Sequence, residues 1–322
     1  MNKAHWRVAG WLAASLLLAH QILEAHSTLA AGCLPLGWFP ANVGLKDHHI
    51  FQHAGDYYLV SIHLTPEHYE DRFAYARSAD LCHWQDLSPV LAERVPGTAD
   101  EFRVWSPFVY EEYSVYYMYY TGVSANFTQS IMLATSTNPA DPASWQAQGV
   151  VFQPDHPGMV WQTGQWADCR DPAVVKVGGT YYLYYTARDA SGGIIGIATA
   201  ASISGPWRDW GPVLTLTAPQ AMAESPALAV YDGLYYLFYN DTSQRGERYR
   251  IGASPAGPWA EADAFAPGWA HEVWRGPNGD DYTSFLTTYA VSISKLSWDT
   301  LYSPARPVVG EIHRSWLPLM SR

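Results

Sequence analysis

Residues 170–185 read RDPAVVKVGGTYYLYY. The polar cluster Arg170-Asp171-Pro172 is followed by a short run rich in valine, by the turn Gly178-Gly179 and by a run rich in tyrosine. A Gly-Gly pair between two β-rich runs predicts a tight hairpin, because glycine adopts positive φ without steric cost. The stretch therefore predicts two antiparallel strands with a polar cluster at the start of the first.

The same order of features occurs five times along the chain. The aligned tyrosines are 59, 65, 54 and 46 residues apart, and a repeat of that length is typical of one four-stranded propeller blade. We therefore predict an all-β protein that folds as a five-bladed β-propeller, each blade a four-stranded antiparallel sheet. The polar clusters and the runs that follow them are Asp47-His48-His49 with Tyr57-Tyr58-Leu59, Trp105-Ser106-Pro107 with Tyr116-Tyr117-Met118, Arg170-Asp171-Pro172 with Tyr181-Tyr182-Leu183, Glu224-Ser225-Pro226 with Tyr235-Tyr236-Leu237, and His271-Glu272-Val273 with Asp281-Tyr282-Thr283.

Composition narrows the classes of partner. The chain has 322 residues, a formal net charge of −11 and no basic run, so nucleic acid is not expected as a partner. Its 15 tryptophans and 22 tyrosines favour strands, and their flat apolar faces also stack on sugar rings. We expect most of the tyrosines to pack between blades.

The N-terminus has the pattern of an export signal. A short basic start precedes an apolar stretch from Val8 to Leu23, and Ala30, Ala31 and Gly32 offer a cleavage site. We expect residues 1–32 to be a signal peptide or an N-terminal anchor and residues 33–322 to form the propeller domain. The protein would then be secreted, periplasmic or held at the cell surface, with the membrane contacted only through that anchor or through a lipid on Cys33.

Three cysteines bear on compartment and metal binding. If Cys33 carries a lipid, Cys82 and Cys169 are left to pair in an oxidising compartment, although sequence alone does not place them within bonding distance. No Cys-x-x-Cys spacing occurs, so a structural zinc site is not expected.

Three acidic residues fall near the same position of the repeat. Asp47 and Asp171 share one position, and Glu224 lies one residue earlier. In a propeller the first strand of each blade lines the central channel, so these side chains would converge. Glycosidic hydrolysis needs one carboxylic acid to protonate the leaving oxygen and a second carboxylate to activate water or attack the anomeric carbon. A third carboxylate can raise the pKa of the acid, because like charges resist joint ionisation.

Other residues near the repeats could bind substrate. His48 either contacts sugar hydroxyls or replaces a proline in the repeat. Arg188 either bonds a sugar or holds Asp171 in its charged form, or it is a solvated turn residue. Trp161 and Trp166 precede Asp171 in a long loop, where they would either stack on sugar rings or pack within the loop.

The five units resemble the five-bladed propeller glycosidases of glycoside hydrolase family 43 and its relatives in families 32, 68 and 117. The resemblance extends from about Leu45 to Trp298. It implies that Asp171 tunes the acid, that Glu224 in Glu224-Ser225-Pro226 is the general acid, and that Trp105-Ser106-Pro107 lines a sugar subsite. It also implies that His271 faces the channel centre, where related enzymes sometimes hold calcium.

The first unit departs from that pattern. Family 43 usually has Asp-Pro there, whereas this chain has Asp47-His48, and the Asn-Asp-Pro-Asn-Gly element of family 32 is missing from blade one. Asp47 is therefore expected to act either as general base or as nucleophile.

Together these features predict a glycosidase that cleaves arabinofuranoside, xyloside or fructoside bonds in oligo- or polysaccharides. No cofactor is expected beyond the calcium ion that the resemblance allows near His271. Two alternatives stay open, a propeller that binds carbohydrate without cleaving it and a transglycosylase or phosphorylase on the same scaffold.

Overall fold

The structure is a computed structural model and describes residues 37–298 except 39, 245, 261–262, 266–267, 277–278 and 288–289. The predicted targeting segment 1–32 and Cys33 lie outside the described residues. No helix within the described residues is long and apolar enough to cross a membrane.

Nineteen strands of the described residues form five antiparallel sheets, one after another along the chain. The five-bladed all-β prediction is confirmed. The one helix of the described residues is a short 3-10 turn, Pro142–Ser144. Blade one contains β1 (Gly44–His53), β2 (Asp56–Leu64), β3 (Tyr69–Ser78) and β4 (Trp84–Val90); blade two β5 (Arg103–Glu112), β6 (Val115–Val123), β7 (Gln129–Ser136) and β8 (Gln146–Phe152); blade three β9 (Cys169–Val177), β10 (Thr180–Asp189), β11 (Gly192–Ala200) and β12 (Arg208–Leu216); blade four β13 (Ala223–Tyr231), β14 (Leu234–Asp241), β15 (Glu247–Gly252) and β16 (Asp263–Ala264); blade five β17 (Trp269–Arg275), β18 (Asp281–Thr287) and β19 (Ala290–Lys295).

Blade five differs from the four-stranded prediction, because it has three strands among the described residues. Trp38, from before blade one, forms an antiparallel bridge with Val291 of β19. The start of the domain thus lies against the outer strand of its last blade and helps to close the ring. The approach is so close that a Cβ on Gly37 would meet the carbonyl oxygen of Val291, which explains glycine at that position.

The core lies between neighbouring blades and is rich in tyrosine. Tyr58, Tyr75, Tyr120 and Tyr184 are fully buried between sheets, as the composition predicted. A buried phenol needs a hydrogen-bond partner, and the hydroxyl of Tyr75 donates to the carbonyl of Pro139 at 2.8 Å. Blade one is therefore tied to blade two by packing and by a directed polar contact.

The first strand of each blade faces its neighbours around the central channel. β1, β5, β9, β13 and β17 contact one another in that order, and β17 returns to β1. Each has a β-bulge at the same place, after Lys46, Trp105, Arg170, Glu224 and Trp269 respectively. A bulge re-aims the side chain that it contains, so all five strands turn one side chain towards the axis.

The cysteines are not paired as the sequence allowed. Cys82 is disulfide-bonded, whereas Cys169 is a free thiol buried in β9. The two residues therefore do not bond to each other. Burial raises the pKa of the Cys169 thiol well above its usual range, so it is an unreactive core residue.

Candidate active site

The bulged residues form one ring at the mouth of the channel. They are Asp47, Ser106, Asp171, Ser225 and Ala270, and all five line a single cavity of about 290 Å³. The last four have positive φ, between 45° and 56°. Left-handed backbone is uncommon for residues other than glycine and often marks a functional site. Here it lets each side chain leave its strand and point into the cavity.

A single serine hydroxyl joins two of the three predicted carboxylates. Ser106 Oγ lies 2.9 Å from Asp47 Oδ2 and 2.7 Å from Asp171 Oδ1. A hydroxyl has one proton to donate, so both contacts are hydrogen bonds only when one carboxyl is protonated and donates back to Ser106. The arrangement therefore holds one proton between two acids.

The protonated partner is assigned to Asp47. Burial raises its pKa to about 7, with a further contribution from the charge of Asp171. The side chain is partly accessible through the cavity but is surrounded by protein on its other sides. Lys46 and the Ser106 hydroxyl oppose the rise. Asp47 thus changes charge near neutral pH, which suits a group that must accept a proton during catalysis.

Asp171 is buried and held from several directions. Its backbone amide donates to Thr121 Oγ1 at 3.1 Å, and its Oδ2 accepts from the backbone amide of Ser225 at 3.0 Å. The second contact connects blade three to blade four, one residue after Glu224. Asp171 therefore contacts Ser225, the neighbour of Glu224, on one side and is connected through Ser106 to Asp47 on the other.

Arg170 contacts three carboxylates near the cavity. Its guanidinium donates to Glu224 Oε1 at 2.7 Å and to Asp168 Oδ1 at 2.6 Å, and its Nε lies 3.9 Å from Asp171 Oδ2. These carboxylates raise the pKa of Arg170 above its already high value, against the effect of burial. Glu224 has 31% of its side chain exposed, so a bound leaving group can reach it.

Two histidines and a glutamate complete the cavity towards blade five. His48 is buried, its Nε2 lies 2.8 Å from Ser284 Oγ, and burial lowers its pKa to about 3, so it stays neutral. In the next residue, His49, the ring nitrogen Nδ1 lies 3.2 Å from Glu272 Oε2. Glu272 lines the same cavity as the bulged ring, so it is a fourth carboxylate at the hub.

A second ring lies farther along the channel. His49, Phe108, Ala173, Ala227 and Glu272 each stand two residues after the bulged position, and all of them line a cavity of about 420 Å³. Glu272 is shared by both cavities. The channel is therefore polar at its mouth and mainly apolar below, with the His49 and Glu272 side chains between.

A buried glutamate outside the inner strands supports the mouth of the channel. Glu70 of β3 accepts bonds of 2.8 Å from Lys46 Nζ, Arg103 Nη1 and Trp105 Nε1. Lys46 precedes Asp47, and Trp105 precedes Ser106. Glu70 thus fixes the two strands that carry Asp47 and Ser106, and it occupies the polar edge of Trp105.

The other predicted substrate-binding residues lie at different distances from the hub. Arg188 does not contact Asp171; it lies 3.9 Å from Asp168 Oδ2 and near Ala221 and Met222. Trp166 is exposed at the mouth and stacks on Phe127. Trp161 packs in its loop, where its Nε1 donates to the carbonyl of Gln129 at 2.7 Å.

His271 is buried beside the cavity and does not line it. Its Nδ1 lies 3.0 Å from Thr283 Oγ1, and its ring stacks on Phe285. The next residue, Glu272, is the one that reaches the channel. Among the described residues, no group of three or more His, Cys, Asp or Glu side chains is placed to hold a metal ion.

The sequence analysis did not select Arg170, Glu70 or Glu272 as site residues. Arg170 and Glu272 belong to the repeated polar clusters, so alignment of all five clusters would have indicated them. Glu70 carries no such signal, because it lies on the third strand of blade one and reaches the mouth through a backbone with φ of 62°.

The chain matches a known family over its first two blades. The model for glycosyl hydrolases family 43 matches residues 41–160, a range that includes Asp47 and Ser106 and ends before Asp171. No curated protein matches the chain. The match confirms the resemblance that the motifs predicted, and it supports a glycosidase.

Solved structures share the whole fold at low sequence identity. A β-xylosidase/α-arabinofuranosidase from a compost microbial metagenome, solved with xylotriose, has a TM-score of 0.61 at 18% identity and covers 82% of this chain and 96% of its own. A family-43 enzyme from Xanthomonas citri, also solved with xylotriose, has a TM-score of 0.61 at 18% identity. The match covers 84% of this chain and 91% of that enzyme. An endo-arabinase from Bacteroides thetaiotaomicron has a TM-score of 0.62 at 17% identity, and the match covers 79% of this chain and 94% of that protein. These likenesses confirm the five-bladed architecture.

Proposed function

We propose that this glycoside hydrolase cleaves arabinofuranoside, xyloside or fructoside bonds in oligo- or polysaccharides at the hub of the propeller. The observation that supports the proposal is the pair of hydrogen-bonding distances from Ser106 to Asp47 and Asp171, together with the Arg170 contacts to Asp171 and Glu224. Asp47 and Asp171 line one cavity, and Arg170 connects Asp171 to Glu224 of the next blade, which supports a site with the pair of carboxyl groups that glycosidic hydrolysis needs.

Glu224 is the proposed general acid. Its exposed carboxyl would donate a proton to the glycosidic oxygen as the bond to the anomeric carbon breaks. The bond electrons leave with the departing sugar as an alcohol, and an oxocarbenium-like centre develops on the sugar that stays. The hydrogen bond that Arg170 donates to Glu224 Oε1 can be accepted by the neutral carboxyl as well, so it holds Glu224 in position in the proton-donating form, and substrate must enter beside it.

Asp47 is the proposed base or nucleophile. As base it would take a proton from a water that attacks the anomeric carbon; as nucleophile it would bond to that carbon and be released by water in a second step. Either role needs the carboxylate form. Asp171 is the proposed modulator, because it contacts the Ser106 bridge on one side and the Ser225 amide on the other.

The choice of sugar draws on what resembles this chain. The structural neighbours include a protein described as a β-xylosidase/α-arabinofuranosidase and another described as an endo-arabinase, which favours pentose-containing glycans within the proposed class. No cofactor enters the proposed steps. Export is proposed as well, and the disulfide at Cys82 supports an oxidising compartment.

Hydrolysis is tested with a panel of chromogenic furanosides and pyranosides and with xylo- and arabino-oligosaccharides, using the wild type and the variants Glu224→Gln and Asp47→Asn. The expected result is turnover by the wild type and loss of activity on the oligosaccharides by both variants, with thermal unfolding and sugar binding largely kept. Wild-type binding without turnover on the whole panel would instead support a carbohydrate-binding propeller. Product analysis with added acceptor sugar or phosphate would reveal a transglycosylase or phosphorylase.

A further inference from the structure

A row of aromatic rings, three of them exposed and one half-buried, extends outward from the hub over blades one to three. We infer that this row, the aromatic platform formed by Tyr69, Phe102, Phe127 and Trp166 with Arg103 among them, binds a glycan chain whose cleaved bond lies at the hub. The inference rests on the proposed function and adds to it that the substrate is a chain several sugars long.

The platform lies at the same end of the propeller as the candidate catalytic residues. Arg103 begins β5 and pairs with Val123 at the end of β6, so Phe102 and the loop that carries Phe127 are at that end. Ser106 lies three residues along the same strand from Arg103. The rings and the bulged ring of the active site therefore share one mouth.

The rings form a continuous surface. Phe127 stacks on Trp166 with centroids 5.3 Å apart and meets Phe102 edge-on at 5.2 Å. Arg103 lies over Phe102 at 4.6 Å and over Tyr69 at 5.2 Å. Tyr69 and Trp166 are 55% and 62% exposed. Soluble proteins seldom leave such a group of large rings in water without a binding function.

The platform is preorganised. Phe127 has φ of 60°, an unusual conformation for a bulky residue, and its loop is bonded to the loop of Trp166. Ala167 N donates to the Phe127 carbonyl, and Thr128 Oγ1 donates to the Gln165 carbonyl at 2.6 Å. Rings fixed in this way lose little entropy when a ligand stacks on them.

Glu70 connects the platform to the candidate catalytic residues. One of its oxygens, Oε2, accepts from both Arg103 and Trp105, and the other, Oε1, accepts from Lys46. The platform cation and the residues that precede Asp47 and Ser106 therefore share one buried carboxylate. This continuity, together with the Arg103 guanidinium beside flat apolar rings, fits a sugar chain, which offers hydroxyls and apolar ring faces.

The test compares substrates of different length. Trp166→Ala, Trp166→Phe and wild type are assayed on xylo- and arabino-oligosaccharides of two to six sugars and on the 4-nitrophenyl monoglycosides. Tyr113→Asn is the matched control, because it removes another exposed ring, 89% accessible, in the β5–β6 turn at the opposite end of blade two. Thermal unfolding confirms that each variant is folded.

We expect Trp166→Ala to lower kcat/KM on the hexasaccharide about ten-fold, as loss of one stacked ring predicts, with a change below about two-fold on the monoglycoside. Trp166→Phe keeps most of the activity on the hexasaccharide, and Tyr113→Asn keeps all of it. An equal loss at every length, or no loss on the hexasaccharide, would overturn the inference.

Two further outcomes separate this inference from the proposed function. If no variant hydrolyses any probe, calorimetric binding of the hexasaccharide still tests the platform. Weaker binding by Trp166→Ala than by Tyr113→Asn supports the platform although the proposed function has failed. Equal or absent binding overturns the platform. If Trp166→Ala turns a dimer into a monomer, by light scattering, with hexasaccharide affinity unchanged, the rings bind a second copy of the chain and the inference is wrong.

Discussion

Asp47 and Asp171 both lie within hydrogen-bonding distance of the Ser106 hydroxyl, although they come from blades one and three. Burial and the charge of Asp171 raise the pKa of Asp47 to about 7, so the pair retains a proton into the neutral range. This relationship makes the site sensitive to pH in a direction that can be stated in advance.

Activity should fall on the acid side with an apparent pKa of about 7, the value to which burial and Asp171 raise Asp47. In its proposed role Asp47 must first lose its proton, so kcat/KM is expected to rise with pH through that value. Ser106→Ala removes a contact that lowers the pKa of Asp47. The acid limb of the kcat/KM profile should therefore move to higher pH. Profiles of kcat/KM against pH for both proteins measure the shift. An acid limb at the same pH in both would contradict the Ser106 bridge.

Arg170 should be needed for both stability and activity. Its guanidinium donates to Glu224 and Asp168 and approaches Asp171, and removing one partner of a buried charge network leaves uncompensated charges. Arg170→Met is expected to lower the free energy of unfolding by about 3–5 kcal/mol and kcat by about 10²-fold or more. Arg170→Lys keeps the charge but not the planar fork, so it should regain more stability than activity.

Denaturant unfolding and kcat measured on the same preparations test this pair of variants. Arg188→Met is the control, because Arg188 also lies near Asp168 but does not contact Asp171 or Glu224. If Arg188→Met impairs kcat as much as Arg170→Met does, the special position of Arg170 is wrong.

Glu247 gives a prediction about stability alone. It is buried, neither oxygen makes a well-formed hydrogen bond within the described residues, and burial, with Glu272 nearby, raises its pKa well above 4.5. The folded protein then binds a proton that the unfolded chain releases, so stability falls as pH rises above 4.5. Glu247→Gln removes that dependence. Its melting temperature should match the wild type near pH 4.5 and exceed it increasingly from pH 6 to 8.

Glu112→Gln serves as the control of opposite sign. Lys176 and Tyr181 lower the pKa of Glu112 by hydrogen bonds, so that carboxylate stabilises the fold above its unfolded pKa. The substitution should therefore slightly lower the melting temperature at pH 7 and leave it unchanged in acid. A melting temperature of Glu247→Gln below that of the wild type at pH 8 would contradict a neutral Glu247.

The propeller and the approach of Asp47 to Asp171 were predictable, because both follow from one repeated pattern. Polar clusters at fixed distance from tyrosine pairs fix which strand faces the axis, and Asp47 and Asp171 occupy equivalent positions on it. The inner strands nevertheless begin earlier than the apolar runs indicated, at Cys169 and Ala223, because each strand continues through a bulge that contains a proline.

The contacts between blades were not predictable from the same pattern. The Arg170 bond to Glu224 and the Ser106 bridge depend on side chains that cross from one sheet to the next, which a repeat does not specify. Glu70 is the clearest case, since its neighbours in sequence are ordinary strand residues. A contact with Asp171 was one of three alternatives for Arg188, but Arg170 is the arginine that lies near Asp171.

The most direct test of the account is the dependence of the Glu224→Gln variant on the leaving group. The general acid matters most when the departing oxygen is a poor leaving group, so loss of Glu224 should lower kcat/KM about 10²–10⁴-fold on glycosides with a sugar or alkyl leaving group. The same variant should keep most of its activity on the 2,4-dinitrophenyl glycoside, whose leaving group needs no proton. An equal loss on both substrates, or wild-type activity on the first, would contradict a proton donor at residue 224.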